Sequence, residues 1–240
     1  MNNLMLKIIN NYNTNLKKYD DLEKKVRKNL NLSNSRQCHH KVVVLNILCD
    51  LFNVETYLEI GVHNGCSMSY IVSNSNVKKV YGIDLFENTY GHYINDNLNY
   101  EKVMKNIERN NINSNITLIK GDSTDLNTIK KFKDFSEKID LLFIDGAHYY
   151  DNVKSDFINY SKFVKKNGLI VFDDYRPKEG DTLKWPKNIQ LQHLNKYNLG
   201  NDLNKLSGIY RFVQENIINN KSYRVIGVFK DNELIIQKLF

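Results

Sequence analysis

The chain has 240 residues, of which 41% are hydrophobic and 25% charged, proportions that fit a folded domain rather than a disordered chain. That length suits one large domain with an appendage, and no apolar run approaches the ~18 residues that cross a bilayer, so no membrane span is expected. Cys38, Cys49 and Cys66 form no CxxC pair and no even-numbered framework, which argues against zinc modules and disulfide scaffolds and for reduced thiols in a cytoplasmic setting. The formal charge of +7 comes mainly from scattered lysines, in pairs such as Lys17-Lys18, Lys24-Lys25 and Lys165-Lys166. Such pairs read as solvated helix faces. No element clusters Arg and Lys as a phosphate-binding face does, so a nucleic-acid partner is not expected.

Residues 1–53 read as a helical extension. Leu4, Ile8 and Ile9, then Leu22, Val26 and Leu30, recur at helical spacing, and after a polar break at 31–36 a second stripe over 38–52 carries Val42, Leu45, Ile47, Leu48 and Leu51. The first thirty or so residues look detachable, and the N-terminal helices are placed either to pair two subunits of a homo-oligomer or to cover a site. From Val54 onward, apolar runs at 56–62, 79–86, 116–121, 139–145 and 169–173 alternate with amphipathic stretches at 67–73, 100–111, 125–135 and 152–164. Four of these runs hold continuous β-branched, Leu or aromatic residues, which suits strands covered on both faces, and the alternation implies right-handed crossovers into a parallel sheet. A helix near 202–218 leads into strands at 223–230 and 233–240. The two-residue Asp231-Asn232 turn between them makes that pair antiparallel. Residues 54–240 are thus expected to form an α/β domain, a mostly parallel sheet of seven strands closed by a hairpin.

The first predicted strand runs Tyr57-Leu-Glu-Ile-Gly-Val-His-Asn-Gly65. Two glycines four apart between a strand and a helix let the backbone turn tightly against a ligand, although a bare turn has the same signature. The spacing is not the GxGxxG dinucleotide fingerprint. Glu59-x-Gly61-x-x-x-Gly65 instead resembles the first motif of class I S-adenosylmethionine-dependent methyltransferases, with His63 where that motif often has a further glycine. The resemblance implies that Glu59 meets the amino group of the cofactor's methionine moiety and that Gly61 and Gly65 lie beneath the cofactor, with Ser67 in the same cofactor-binding set. Asp84 ends the second strand, about 20 residues beyond the loop, where a carboxylate can take both ribose hydroxyls. The third strand ends Lys120-Gly-Asp-Ser123. There the resemblance implies that Asp122, with its neighbour Ser123, meets the adenine amino group; a helix N-cap explains the pair equally well. The likeness covers 54–240 and implies a Rossmann-like class I methyltransferase fold.

The fourth strand ends Phe143-Ile-Asp145-Gly-Ala-His148, and the fifth ends Val171-Phe-Asp173-Asp174-Tyr175. Neighbouring strand ends lie ~4.8 Å apart, so Asp145, Asp173 and Asp174 converge, which requires a shared proton or a cation. All-oxygen ligands favour Mg²⁺, with Mn²⁺ or Ca²⁺ as substitutes. The pattern also resembles the metal-dependent O-methyltransferases of sugars and natural products, which implies Asp145, Asp173 and Asp174 as metal ligands; one of the Asp pair reads otherwise as a loop brace. His148 is the candidate general base, with Asp145 or a water in its place as alternatives. Tyr149, Tyr150, Tyr175, Arg176 and Trp185, with Gln37-Cys-His-His40, are candidate substrate contacts, since aromatic rings can stack on a sugar face. His39-His40 on its own reads as structural. The connection from 176 to 201 has the length of a lid. The expected activity is metal-assisted methyl transfer to a hydroxyl of a small molecule, a sugar or glycan foremost. A non-catalytic methyltransferase-like binding module, a nucleic-acid methyltransferase and a nicotinamide-dependent oxidoreductase are the rivals, the last disfavoured by the glycine spacing and the carboxylate trio.

Overall fold

The computed structural model describes residues 2–30, 39–74, 76–87, 99–134, 138–175, 208–230 and 232–240. Among them, helices α1 (Asn3–Thr14), α2 (Leu16–Leu30) and α3 (His39–Phe52) precede the sheet. The alternating part follows as β1 (Thr56–Ile60), α4 (Cys66–Val72), β2 (Lys79–Asp84), α5 (Tyr100–Glu108), β3 (Asn115–Lys120), α6 (Leu126–Asp134), β4 (Ile139–Ile144), α7 (Tyr150–Tyr160) and β5 (Val164–Phe172). Helix α8 (Ile209–Asn216) then leads to β6 (Tyr223–Phe229) and β7 (Glu233–Lys238). The strands form one seven-stranded sheet in the order β3-β2-β1-β4-β5-β7-β6. β1 to β5 are mutually parallel, and β7 runs antiparallel to both β5 and β6. This is the predicted Rossmann-like class I methyltransferase architecture, terminal hairpin included.

Two boundaries differ from the sequence reading. The predicted helix over 152–164 is α7 followed by a single 3₁₀ turn, Ser161–Phe163. Strand β5 starts at Val164 rather than 169, because its register against β4 slips between the Ile139–Val164 and Leu141–Leu169 pairs. The exposed residues Lys165, Lys166 and Asn167 form this irregularity, with Asn167 at φ 65°. A polar, solvated bulge carries no apolar signal, so hydrophobic patterning does not detect it. Asp231 of the predicted turn and residues 176–207, which include Pro177, Pro186 and the whole predicted lid, lie outside the described residues.

Helices cover both faces of the sheet. On one face α6, α7 and α8 bury Phe132, Phe157 and Phe212 against Leu58, Ile144 and Phe172. The other face packs α3, α4 and α5 against Tyr57, Leu141, Phe143 and Val171. The N-terminal helices belong to that second layer: Met5, Ile8, Val26 and the run Val42–Leu45 share its apolar cluster. Met5 seats against Gly227 of β6, where a Cβ would stand 2.9 Å from the Met5 Cγ. Tyr12 meets the Phe229 ring edge-on at 5.4 Å. The extension is therefore built into the core rather than detachable, because without it the β6–β7 end of this face would be left in water. Among the described residues, no helix is long and apolar enough to cross a membrane.

One polar side chain lies in the middle of this apolar construction. Glu59 on β1 is fully buried. Tyr57, two residues earlier on the same face of the strand, donates its hydroxyl to Glu59 Oε2 at 2.7 Å, and the Ser67 hydroxyl donates to Oε1. Burial outweighs both hydroxyls and pushes the Glu59 carboxyl up from its ordinary 4.5 to about 8. The folded chain thus holds a proton here at neutral pH that the unfolded chain releases. Its contribution to stability is complete below the unfolded-state value and is lost as pH rises through the folded one.

Two outcomes are expected. Replacing Ile8 by Ala should cost about 2–4 kcal/mol of global stability in chemical denaturation, as for any buried core aliphatic; a change near zero would mean that α1 is not part of the cooperative unit. Glu59→Gln, which keeps a neutral acceptor, should gain on wild type as pH rises from about 5 to about 8, with a slope on the order of 1 kcal/mol per pH unit, read from denaturation midpoints across that range.

Candidate active site

At the carboxyl edge of the sheet the backbone ladder continues one residue beyond the strands. Gly61 N–H donates to the Ile83 carbonyl at 2.9 Å, Asp145 N–H to Ile60 at 2.9 Å, and Asp173 N–H to Ile144 at 3.1 Å. Gly61, Asp145 and Asp173 are thereby aligned side by side. Crossovers leave β1 and β4 toward opposite faces, which opens the crevice where α/β sheets bind ligands. Gly61 has φ +90°, and a Cβ there would lie 2.1 Å from the Asp145 carbonyl oxygen. Only glycine fits that approach. Gly65, at φ +78°, lies where a Cβ would meet Ile107 of α5 at 2.8 Å.

On the predicted cofactor side, Asp84 organises the loop it faces. Its Oδ2 accepts the His63 N–H at 2.8 Å and its Oδ1 accepts the Phe86 N–H at 2.7 Å. Each carboxylate oxygen keeps further lone pairs for a ligand. Asp122 is exposed, and its Oδ1 accepts both the N–H and the hydroxyl of Thr124 at 2.8 Å. Neither it nor Ser123 caps α6; that part falls to Asp125, which accepts from Asn127 and Thr128 at 2.7 and 3.3 Å. The Ser123 carbonyl accepts the Tyr160 hydroxyl at 2.9 Å. Nearby, burial pushes the fully buried Asp156 carboxyl up to about 7. Glu59 and Ser67 lie just below this edge, bonded to each other.

On the reacting side, ligand atoms of Asp145, His148 and Asp173 all lie within 4.8 Å of one another, a grouping able to hold a metal ion. It differs from the predicted trio. Asp174 takes a left-handed turn, φ 53°, and its Oδ2 faces His148 Nδ1 at 3.4 Å. His148 Nε2 lies 3.6 Å from Asp145 Oδ1, so the imidazole sits between two carboxylates. Burial works against a charged ring, yet Asp145 and Asp174 overcome it and push His148 up to about 10. In this arrangement His148 carries a proton at neutral pH, whereas the general-base role requires the neutral ring.

Sequence reasoning missed the cation at the centre. Lys41 of α3 donates to Asp145 Oδ2 at 2.5 Å and to Asp173 Oδ2 at 3.1 Å. Asp145 is held below its ordinary range, since Lys41 and His148 prevail over burial. Asp173 is raised well above its ordinary value, by burial first and then by the Asp145 charge. The hairpin adds two more unforeseen groups. Asn232 donates to Asp173 Oδ1 and to Glu233 Oε1, both at 3.1 Å, and burial pushes Glu233 up to about 7. The available signal for Lys41 was an ionisable residue directly preceding the apolar run Val42–Leu45.

The predicted substrate contacts separate. Tyr149 precedes α7 and is half-buried. Tyr150 donates to Glu215 Oε2 at 2.6 Å, with Arg211 over its ring at 4.7 Å. Tyr175 is buried instead: its hydroxyl accepts from Gln214 at 2.8 Å and its ring packs against Tyr210 at 5.3 Å. Arg176, Trp185, Gln37 and Cys38 lie outside the described residues, as do the side chains of His39 and His40.

Comparison with known proteins bears on this geometry. Residues 58–175 match the family described as a methyltransferase domain. Over 144 residues the chain is 36% identical to an uncharacterized protein of Acanthamoeba polyphaga mimivirus, covering 59% of this chain and 62% of that protein, so it spans less than two thirds of that relative's length. Among solved structures, it resembles an O-methyltransferase from Bacillus cereus in complex with SAH, at 17% identity and TM-score 0.59, covering 92% of this chain and 91% of the other. TomG from Streptomyces achromogenes, an O-methyltransferase of tomaymycin synthesis in complex with SAM, aligns at 12% identity and TM-score 0.59 over 92% and 89% of the two chains. MycE of the mycinamycin pathway, in complex with Mg, SAH and mycinamycin VI, aligns at 16% identity and TM-score 0.50 over 90% of this chain and 54% of that one. Residues 58–175 thus match a methyltransferase domain, and the glycine loop after β1 and the terminal hairpin give the chain the Rossmann-like fold of the methyltransferases it resembles.

Proposed function

We propose that the chain transfers a methyl group from S-adenosylmethionine to a hydroxyl of a small molecule, assisted by a divalent cation. The observation that carries this reading is one continuous edge on which the Gly61–Gly65 loop and Asp84 lie beside the acidic cluster of Asp145 and Asp173. The glycine loop and Asp84 form a cofactor cradle, with Asp84 for the ribose hydroxyls and Asp122 and Ser123 for the adenine. Glu59, buried and protonated, supports the cradle from below rather than presenting a charge to the methionine end.

The donor set also fits a divalent ion. Two carboxylates and an imidazole within 4.8 Å of one another match the oxygen and nitrogen ligands of Mg²⁺ or Mn²⁺. Asp145 and Asp173 would hold it, joined by His148 once that ring has given up its proton, and the chemistry it would supply is a lowered pKa for an acceptor hydroxyl. The sulfonium loses its charge as the methyl leaves, so the protein's main task is to hold donor, methyl and acceptor in line. With His148 protonated between Asp145 and Asp174, the hydroxyl proton would pass to Asp145 or to a water as the methyl arrives. The acceptor we favour is a sugar-type hydroxyl, which the half-buried Tyr149 beside His148 is placed to meet. Cys49 and Cys66 are buried in the core, and the compartment we favour is a reducing, cytoplasmic one.

Calorimetric titration with S-adenosylmethionine should give binding on the order of micromolar, and Asp84→Asn should weaken it about tenfold, the value of one charge-assisted hydrogen bond. Absence of cofactor binding would overturn the reading. With a panel of small-molecule hydroxyls, release of S-adenosylhomocysteine should depend on added Mg²⁺ or Mn²⁺ and be lost in Asp173→Ala; metal-independent turnover would retain methyl transfer and remove the cation from it.

A further inference from the structure

We propose that Lys41 is a resident cation of the carboxylate cluster, and that its ammonium and a divalent ion are alternative occupants of the place between Asp145 and Asp173. The inference rests on the metal-assisted reading above. It assigns to the N-terminal helices a role that neither the methyltransferase fold nor the acidic motif contains.

The geometry is that of a bridging cation. Lys41 Nζ reaches Asp145 Oδ2 at 2.5 Å and Asp173 Oδ2 at 3.1 Å, thereby engaging two of the three residues grouped as metal ligands. The other oxygen of Asp173 is committed to the hairpin, where Asn232 donates to Oδ1 at 3.1 Å. Oδ2 is therefore the Asp173 atom that faces inward, and it is the one Lys41 holds. A divalent ion and an ammonium drawing on the same oxygens would stand within a few ångströms of each other, where repulsion in a partly buried site is severe. One of them must leave.

Lys41 is placed for that exchange. It is the third residue of α3, in the first helical turn, where the helix dipole disfavours a cation. The residues that follow, Val42–Leu45, are buried in the core and fix the backbone at this point. What holds the ammonium inward is therefore the carboxylate pair, not its own helix. The side chain is 22% exposed, so the head keeps a route to water. A flexible four-carbon stem allows it to swing out without moving the helix. Lys41 thus neutralises the cluster when no metal is bound and sets a threshold for metal entry.

The test measures Mn²⁺ binding to the full-length chain by electron paramagnetic resonance of the free ion, at fixed pH, for wild type and Lys41→Met. Mutual exclusion predicts that Lys41→Met binds Mn²⁺ about tenfold tighter or more, and that adding Asp173→Asn to it abolishes the gain. Equal or weaker binding by Lys41→Met overturns the inference and leaves the metal site standing. Absence of Mn²⁺ binding in both proteins overturns the metal-assisted reading and this inference with it. A second measurement does not depend on how that variant folds. In wild-type chain labelled with [ε-¹³C]lysine, the Lys41 signal, assigned by its loss in Lys41→Arg, should move toward those of solvent-exposed lysines as Mg²⁺ saturates. A Lys41 signal unmoved by bound Mg²⁺ also overturns the inference.

Discussion

Like charge at close range is the constraint around which this site is built. The parallel ladder forces it: with Asp145 N–H bonded to Ile60 and Asp173 N–H bonded to Ile144, adjacent strand ends present their carboxyls to the same small volume. Two ionised carboxylates that close cannot persist away from water. The structure answers with cations and a proton. Lys41 and His148 hold Asp145 ionised, while Asp173 is driven toward its protonated form. Every other polar contact at the edge is subordinate to that distribution. Asn232 ties the spare oxygen of Asp173 to the hairpin, and the left-handed turn at Asp174 delivers a further carboxylate to the imidazole.

The N-terminal helices link this electrostatic problem to the core. A sheet buried on both faces needs two helical layers, and the β6–β7 end of one face is covered by α1 through Met5 and Tyr12. α3 lies in that same layer, and its apolar run anchors it so deeply that the residue just before the run, Lys41, has a defined position over the sheet edge. Packing and charge compensation are two consequences of one placement. This explains how a helix that touches no strand end in sequence can supply the central cation of the site.

What the sequence revealed follows from which forces are local. Four of the five parallel strands were legible as continuous apolar runs, and the hairpin follows from a turn too short for a crossover, so the topology was readable from pattern. The motif residues at strand ends were readable for the same reason, since a strand end places whatever follows it at the edge. The bulge at Lys165–Asn167 was not, because its residues are polar and solvated. Lys41 was not, because its partners lie 104 and 132 residues away and a lone Lys beside an apolar stripe ordinarily faces water. Asn232 and Glu233 were hidden likewise: a hairpin turn reads as a turn, whatever sheet edge it finally abuts. That Asp174 turns its carboxylate to His148 was not legible, since a left-handed φ at a non-glycine residue has no signature in sequence.

The same physics separates the two halves of the edge. On the glycine-loop side, groups are neutral or already bonded: Glu59 keeps its proton under Tyr57 and Ser67, and Asp84 accepts from the loop backbone. Around Asp145 and Asp173, charges of both signs are confined together. A sulfonium cofactor brings its own positive charge and gives it up on reaction, so a fixed carboxylate directly beneath it would stabilise the ground state more than the transition state. If the proposed cofactor lies over the glycine loop, a protonated Glu59 beneath it and ionised groups concentrated one strand further on, beyond Gly61, suit that demand. The absence of a Cβ at Gly61 is what lets the two regions touch: its backbone passes so close to the Asp145 carbonyl that no side chain stands between donor loop and acidic cluster.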